Sequence, residues 1–367
     1  MRKFAITTVA IAGVALMALS GCSSRGTTTS ASGGAAGFKA GSVIGVALPD
    51  KTSENWVLAG KLFEDGIAAA GFKADVQYAP ATNTVSEQQN QITSMTTKGA
   101  KVIIIGAKDG SQLGSQVSAA HSSGATVIAY DRLILNTKDV DYYVAYDNEK
   151  VGELQGQALL DGLKARFPDA KTYNIELFSG SSDDANAPVF FNGAMKILKP
   201  KIDDGTLKVV SGQTDIKQTA TAGWLAQNAQ TRMDTLLAAN YTSTQLNGVL
   251  SPNDTLARAI ITSIKAAGKA TPVLPVVTGQ DSEAESVKSI MAGEQYSTIN
   301  KDTRKLVAHS IEMIKDLAAG KKPATNSTDY NNGVKVVPTY LLPPELVTKD
   351  NAAKSYANDP TLEPLTK

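Results

Sequence analysis

From Ser42 onward the chain alternates short apolar runs with stretches whose apolar residues recur at helical spacing. Ser42–Leu48, Ala74–Ala79, Lys101–Gly106 and Ala125–Tyr130 read as strands. The unbroken β-branched run Val102–Ile105 predicts burial on both faces, as in a parallel sheet. Between the strands, 57–70 carries Val57, Leu58, Leu62 and Ile67 at helical spacing and stops at Gly71. Helices are likewise expected over 86–98, closed by Gly99, and over 112–122. A second series follows Asp147 and Asn148. Its helices are expected over 149–165, 187–199, 222–239 and 256–267, alternating with strands over 173–178, 207–211, 246–250 and 273–278. A last long helix covers 303–319, ending at Gly320 with Pro323 beyond. Repeated β-α-β units at this spacing predict doubly wound α/β sheets, and two series of similar length predict two lobes.

The first forty residues follow another pattern. Met1-Arg2-Lys3 is a positive head, and Phe4 to Ser20 is uncharged and apolar or small, which predicts a secretory signal peptide over 1–21. The stretch is marginal for a membrane span, which needs about 20 apolar residues. Leu19-Ser20-Gly21-Cys22 resembles the bacterial lipoprotein signal, in which the cysteine receives lipid. Cys22 is thus the expected lipidation site, and residues 22–40, rich in Ser, Thr and Gly, the expected flexible tether. The protein is expected outside the cytoplasm, in the periplasm or on a Gram-positive surface, touching the membrane only through that lipid. Cys22 is the only cysteine, which excludes an intramolecular disulfide and leaves the folded part to its apolar core. Lys and Arg number 36 against 35 Asp and Glu, a net +1 that becomes −1 without Arg2 and Lys3. So balanced a chain makes no electrostatic case for nucleic acid.

In open parallel sheets a ligand lies outside the carboxyl ends of the strands. Here those ends carry Asp50-Lys51-Thr52-Ser53-Glu54-Asn55-Trp56, Asp131-Arg132, Ser181-Ser182-Asp183-Asp184-Ala185-Asn186, Asn253-Asp254 and Gly279-Gln280-Asp281. Charged and amide side chains recurring at these positions suit a polyhydroxylated ligand. Such a ligand calls for bidentate hydrogen-bonding groups and aromatic platforms for its C–H faces. Arg132 offers five donors in a rigid fork and Asp131 only acceptors. A hydrogen bond to a charged group contributes about 1.5–3 kcal/mol. Three or four would support micromolar affinity, about −8 kcal/mol.

Tyr130-Asp131-Arg132-Leu133-Ile134, Tyr146-Asp147-Asn148-Glu149-Lys150-Val151-Gly152 and Val277-Thr278-Gly279-Gln280-Asp281 resemble the periplasmic aldose-binding receptors of ABC importers. The segments 293–299 and 331–338 resemble the xylose and multiple-sugar branch of that family. The resemblance runs from about Ile44 to Leu342. It implies an α/β type I periplasmic binding protein, with two doubly wound lobes joined by a three-strand hinge. It also implies discontinuous lobes, 42–146 plus 283–325 and 147–282 plus 326–345, with 346–367 as a C-terminal tail. The function implied is capture of a monosaccharide and its delivery to an ABC transporter permease, by a monomer without cofactor or metal.

The resemblance carries a sugar-binding role onto Asp131 and Arg132 of the first lobe and onto Asn186, Asn253 and Asp281 of the second. It adds Lys301, and Trp56 and Trp224 as the aromatic faces. Each has a plainer reading. Asp131 and Arg132 can form a strand-end ion pair, either Trp can be packing, and Asn253-Asp254 can cap a helix, with Asp254 the better cap. One position departs from the family pattern: Asn55 stands where relatives often carry Arg before the tryptophan, so the sugar's identity does not carry over. Lys51 is the candidate to compensate.

Other functions find less support. The two histidines, His121 and His309, lie on expected helices, and no Gly-x-Ser-x-Gly elbow or His-Glu-x-x-His occurs. Asp183-Asp184 has the composition of a glycosidase pair, but adjacent carboxylates more often serve a turn. A sugar-sensing repressor would need a helix-turn-helix where the signal and tether stand. A receptor feeding a chemotaxis or signalling sensor uses the same lobes and stays open as an alternative to transport.

Overall fold

The computed structural model describes residues 37–80 and 85–367. The expected signal peptide, Cys22 and all but the last four residues of the expected tether lie outside the described residues. The first series forms β1 (Val43–Leu48), α1 (Glu54–Ala69), β2 (Lys73–Tyr78), α2 (Val85–Thr97), β3 (Val102–Ile105), α3 (Gly114–Ser122), β4 (Thr126–Tyr130) and β5 (Tyr142–Tyr146). The second begins with α4 (Asn148–Arg166), β6 (Tyr173–Leu177), α5 (Ala187–Asp203), β7 (Leu207–Val209) and α6 (Ile216–Thr219). It continues with α7 (Ala226–Asn240), β8 (Gly248–Leu250), α8 (Asp254–Ala266), β9 (Val276–Val277), α9 (Ala284–Met291) and β10 (Ser297–Asn300). The chain closes with α10 (Thr303–Ala318), β11 (Thr339–Leu342), β12 (Glu345–Thr348) and α11 (Ala352–Ser355).

Two parallel sheets organise these elements. One runs β11-β5-β4-β3-β1-β2 and the other β7-β6-β8-β9. In each, strand order reverses beside the first strand, between β1 and β3 and between β6 and β8, which is where open α/β sheets leave a crevice. Alternation along β3 shows why both faces must be covered. Ile103 and Ile105 pack with Ile92, Met95 and Val117 of α2 and α3. Val102 and Ile104 pack with Phe63, Ile67, Ile311 and Ile314 of α1 and α10. In the second sheet Val249 and Val277 face α7 and α8, whereas Leu250 and Val276 face α4 and α5. Fully burying such a side chain contributes about 1.5–3 kcal/mol, so the paired layers hold each sheet without a cross-link.

The chain passes between the two sheet systems at Asp147, at Lys301–Asp302 and at Pro343–Pro344. These crossings lie side by side: the Asp147 N–H donates to the Leu342 carbonyl at 3.0 Å, and the Tyr146 hydroxyl to the Asp302 carbonyl at 3.0 Å.

The discontinuous lobes expected from the family need correction. Residues 284–300, expected with the first lobe, join the second: β10 pairs antiparallel with β12, and both pack on α4. Residues 326–342, expected with the second, join the first: β11 lies parallel beside β5, and the Asn332 amide donates to the carbonyls of Ile134 and Thr137. The C-terminal stretch is no loose tail, since Val347, Ala352, Tyr356 and Leu362 build a small core with Val287 of α9. No helix among the described residues is long and apolar enough to cross a membrane.

Candidate functional site

The carboxyl ends of both sheets open onto one cleft of about 950 Å³, counting the space open to solvent at its mouth. Ser53 caps α1, its side chain accepting from the Asn55 N–H, and this sets Asn55 and Trp56 in the helix's first turn facing the cleft. Asp131 and Arg132 follow β4, and Asp184 and Asn186 follow β6. Trp224 ends a short 3-10 turn at Ala222–Trp224. Asn253 and Asp281 follow β8 and β9, and Lys301 sits on the second crossing.

Each indole lies against a strand-end glycine. A Cβ on Gly106 would come 3.1 Å from Trp56 Cζ3, and one on Gly180 only 2.1 Å from Trp224 Cζ2. Glycine is the residue that lets these rings settle so close to the backbone. Asp131, Trp224 and Asp281 all hold positive φ, at 61°, 54° and 97°. Such conformations cost about 1–3 kcal/mol each and persist where the surroundings fix them, typically at binding sites.

Charged groups tie the cleft walls together. Arg132 Nε lies 2.9 Å from Asp184 Oδ2, its Nη1 donates to the Ala107 carbonyl at 3.1 Å, and its guanidinium stands 5.3 Å from the Trp56 ring centre. Asp184 Oδ2 also accepts from the Trp224 indole N–H at 3.1 Å. Burial pushes the Asp184 carboxyl above the usual carboxylate range, with Arg132 opposing. Lys301 Nζ pairs with Asp281 Oδ1 at 2.9 Å and stands 5.3 Å from the Phe190 ring centre. Burial disfavours the Lys301 ammonium, but Asp281, Asp131 and Asp184 outweigh it and hold the group above its ordinary value.

Several contacts reach directly from one wall to the other. Asn186 Nδ2 donates to the Asp131 carbonyl at 2.9 Å, and Asn55 Nδ2 to the Asp281 carbonyl at 3.0 Å. Ser53 Oγ donates to Glu283 at 3.0 Å, and the Ala284 N–H donates to Glu54 at 3.0 Å. Glu54 thus caps α9 from across the cleft; Glu283, at that helix's own N-cap, makes no side-chain cap.

The structure brings Asn55, Trp56, Asp131, Arg132, Asn186, Trp224, Asn253, Asp281 and Lys301 to this one cleft. Lys51 is not part of its lining and sits 4.6 Å from the Tyr78 ring centre, so the compensating role does not fit its position. Lys108, after β3, lines the wall instead and pairs with Asp50 at 3.3 Å. Asn253 rather than Asp254 caps α8, its Oδ1 accepting from the Leu256 N–H at 2.9 Å. Asp254 is buried behind it, accepting from Gln295, Thr298 and the Glu283 N–H. Asp183 and Asp184, read as turn residues, line the cleft, and neither histidine does.

A model of the periplasmic binding protein domain matches residues 44–322. The chain belongs to the periplasmic binding protein family. Within that family it is 48% identical over 315 residues to the multiple sugar-binding periplasmic receptor ChvE of Rhizobium radiobacter, covering 85% of this chain and 88% of that one. It is 36% identical to the D-xylose-binding periplasmic protein of Escherichia coli, over 86% and 89% of the two chains. An ABC transporter solute-binding protein from Clostridium phytofermentans, solved with β-D-glucose, superposes with a TM-score of 0.82 at 36% identity, over 89% of this chain and all of that one. A carbohydrate transporter solute-binding protein from Chloroflexus aurantiacus, in complex with D-glucose, superposes at 0.78 with 32% identity, over 87% and 96%. In this periplasmic binding protein, then, the cleft lies where both sheets of the fold direct their carboxyl ends.

Proposed function

We propose that this periplasmic binding protein captures a monosaccharide between its lobes and presents it to an ABC importer. The observation that carries the reading is the pairing of two indoles, from opposite walls, with a fork of charged groups between them. Indole faces suit the C–H faces of a sugar ring, and Arg132, Lys301, Asp131 and Asp281 can meet its hydroxyls. Asn253 has its Oδ1 committed to α8, so its amide N–H groups are what it can offer. Asn186 acts chiefly between the lobes, through the Asp131 carbonyl. The relatives' names and ligands agree with a sugar.

Binding closes the hinge, because one ligand can satisfy both walls only when they meet, and the closed arrangement gains from that difference in contacts. The groups in the cleft act by holding the ligand rather than by chemistry on it. Cys22, lipid-modified after export, would keep a monomeric receptor beside its permease.

A thermal-shift screen against xylose, glucose, galactose, arabinose and fructose tests this. A sugar at 100 times its Kd adds about 2.7 kcal/mol to stability, which is readily seen. A protein whose transition no monosaccharide moves would not be a sugar receptor. Small-angle scattering should show a smaller radius of gyration with the preferred sugar.

A further inference from the structure

Asp184 is buried, with 4% of its surface exposed, on the loop after β6. Its Oδ2 forms an ion pair with Arg132 Nε at 2.9 Å and accepts from the Trp224 indole N–H at 3.1 Å, and its Oδ1 accepts from the Asn186 N–H at 2.9 Å. Arg132 comes from the first wall and Trp224 from the second. With the Arg132 guanidinium 5.3 Å from the Trp56 ring centre, an unbroken path runs Trp56–Arg132–Asp184–Trp224.

We propose that Asp184 is a positioning residue for sugar binding: its carboxylate joins the guanidinium of one lobe to the indole of the other and so fixes how the two aromatic faces stand in the closed cleft. This rests on the sugar-receptor reading. A carboxylate offers about four lone-pair sites, and two hydrogen bonds and an ion pair from the protein engage both of its oxygens, so Asp184 acts through its neighbours. It orients them with little freedom. The Arg132 fork has Nε committed to Asp184 and Nη1 engaged by the Ala107 carbonyl, which leaves Nη2 as the end unengaged by these contacts. The Trp224 ring is held at its N–H edge by Asp184 and packs against Gly180. Because Arg132 and Asp184 sit on different lobes, the bridge forms on closure, whereas the Asp184–Trp224 bond lies within one lobe.

The test uses Asp184→Asn, which keeps the side chain's shape, and Asp184→Glu, which keeps its charge but lengthens it by one methylene. The chain has two tryptophans, both in the cleft, so Trp56→Phe leaves Trp224 as the sole indole reporter. Asp184→Asn should raise the Kd of every sugar the parent binds by at least about tenfold, with the native circular dichroism retained. In the Trp56→Phe background it should also shift the sugar-free Trp224 emission. Asp184→Glu should fail to restore affinity, since a longer carboxylate displaces both partners. Unchanged affinity in Asp184→Asn, wild-type affinity in Asp184→Glu, or an unmoved Trp224 emission would each overturn the proposal. A parent protein that no sugar quenches defeats the receptor reading instead. The sugar-free emission still reports in that case whether Asp184 holds the indole.

Discussion

The contact between Glu54 and α9 gives a way to change affinity without touching the ligand. The Glu54 carboxylate accepts from the Ala284 N–H at 3.0 Å, capping a helix that belongs to the other lobe. An open protein would lose this bond, and a closed one gains it with or without sugar. A carboxylate at an exposed helix N-terminus contributes about 0.3–1 kcal/mol through the helix dipole, and its hydrogen bond adds to that. About 1 kcal/mol is a reasonable total for so exposed a pair, and 1.4 kcal/mol is tenfold in an equilibrium constant. Glu54→Ala should therefore raise the apparent Kd about fivefold by lowering the closed population. Glu54→Gln, which can still accept a hydrogen bond, should raise it about twofold. Ser53 would be a poorer choice, because its Oγ also caps α1. Isothermal titration with the tightest sugar measures the effect, and small-angle scattering should show the sugar-free variant no more compact than the parent. If Glu54→Ala binds as tightly as the parent, closure draws nothing from the cap and this account of the lobes' balance is wrong. A loss above about a hundredfold would instead mean that Glu54 meets the ligand.

Three further outcomes follow from the geometry. Gly180→Ala puts a methyl 2.1 Å from Trp224 Cζ2, so the indole must move. Binding should weaken by about five- to a hundredfold for an overpacking cost of about 1–3 kcal/mol, read by titration and thermal melting. Arg132→Ala removes the central fork and should weaken binding by about a hundredfold or more while the apo circular dichroism stays native; retained tight binding would remove Arg132 from the site. Burial holds the carboxyls of Asp184, Asp254 and Glu283 above their ordinary values of 3.8 and 4.5. The folded state therefore keeps protons that the unfolded chain releases, and these groups' stability is full below those ordinary values and lost as pH rises through the raised ones. His309, held below its ordinary 6.5 by burial, acts in the opposite sense just under that pH. Asp254→Asn should flatten the fall in melting temperature as pH rises above those ordinary values. A parent melting temperature that climbs steadily over that range would contradict the assignment.

Four of the first sheet's six strands, β1 to β4, are readable because they obey simple periodicity. Val102–Ile105 is buried on both faces, as its β-branched run demands. Boundaries moved where capping chemistry acted. Ser53 starts α1 at Glu54, ahead of the apolar pattern at Val57. α5 continues through Pro200 to Asp203, although the apolar pattern stops before that proline. The helix expected over 222–239 is broken in two, because Gly223 and Trp224 take positive φ to bring the indole into the cleft.

What local pattern hides is long-range pairing. β5 was not anticipated, and β11 reaches it from almost two hundred residues away. The antiparallel pair β10–β12 takes α9 to the second lobe. The same limit applies to the cleft. Strand-end position marks Asp131, Arg132, Asp281 and the segment that holds Asp184, but beside Asp183 that carboxylate reads as half of a turn. Its role depends on Arg132 and Trp224, which stand 52 and 40 positions away and meet it only in three dimensions. Composition lets either Asn253 or Asp254 cap, and the expected cap, Asp254, gives way to Asn253 because buried partners, Gln295 and Thr298, hold Asp254.

A crystal structure of the protein grown with the sugar that shifts its melting transition most would test the receptor reading most directly. The account predicts density for one sugar ring between Trp56 and Trp224, with Arg132, Asp281 and Lys301 within hydrogen-bonding distance of its hydroxyls. A cleft left without sugar, or a sugar seated elsewhere on the molecule, would contradict it.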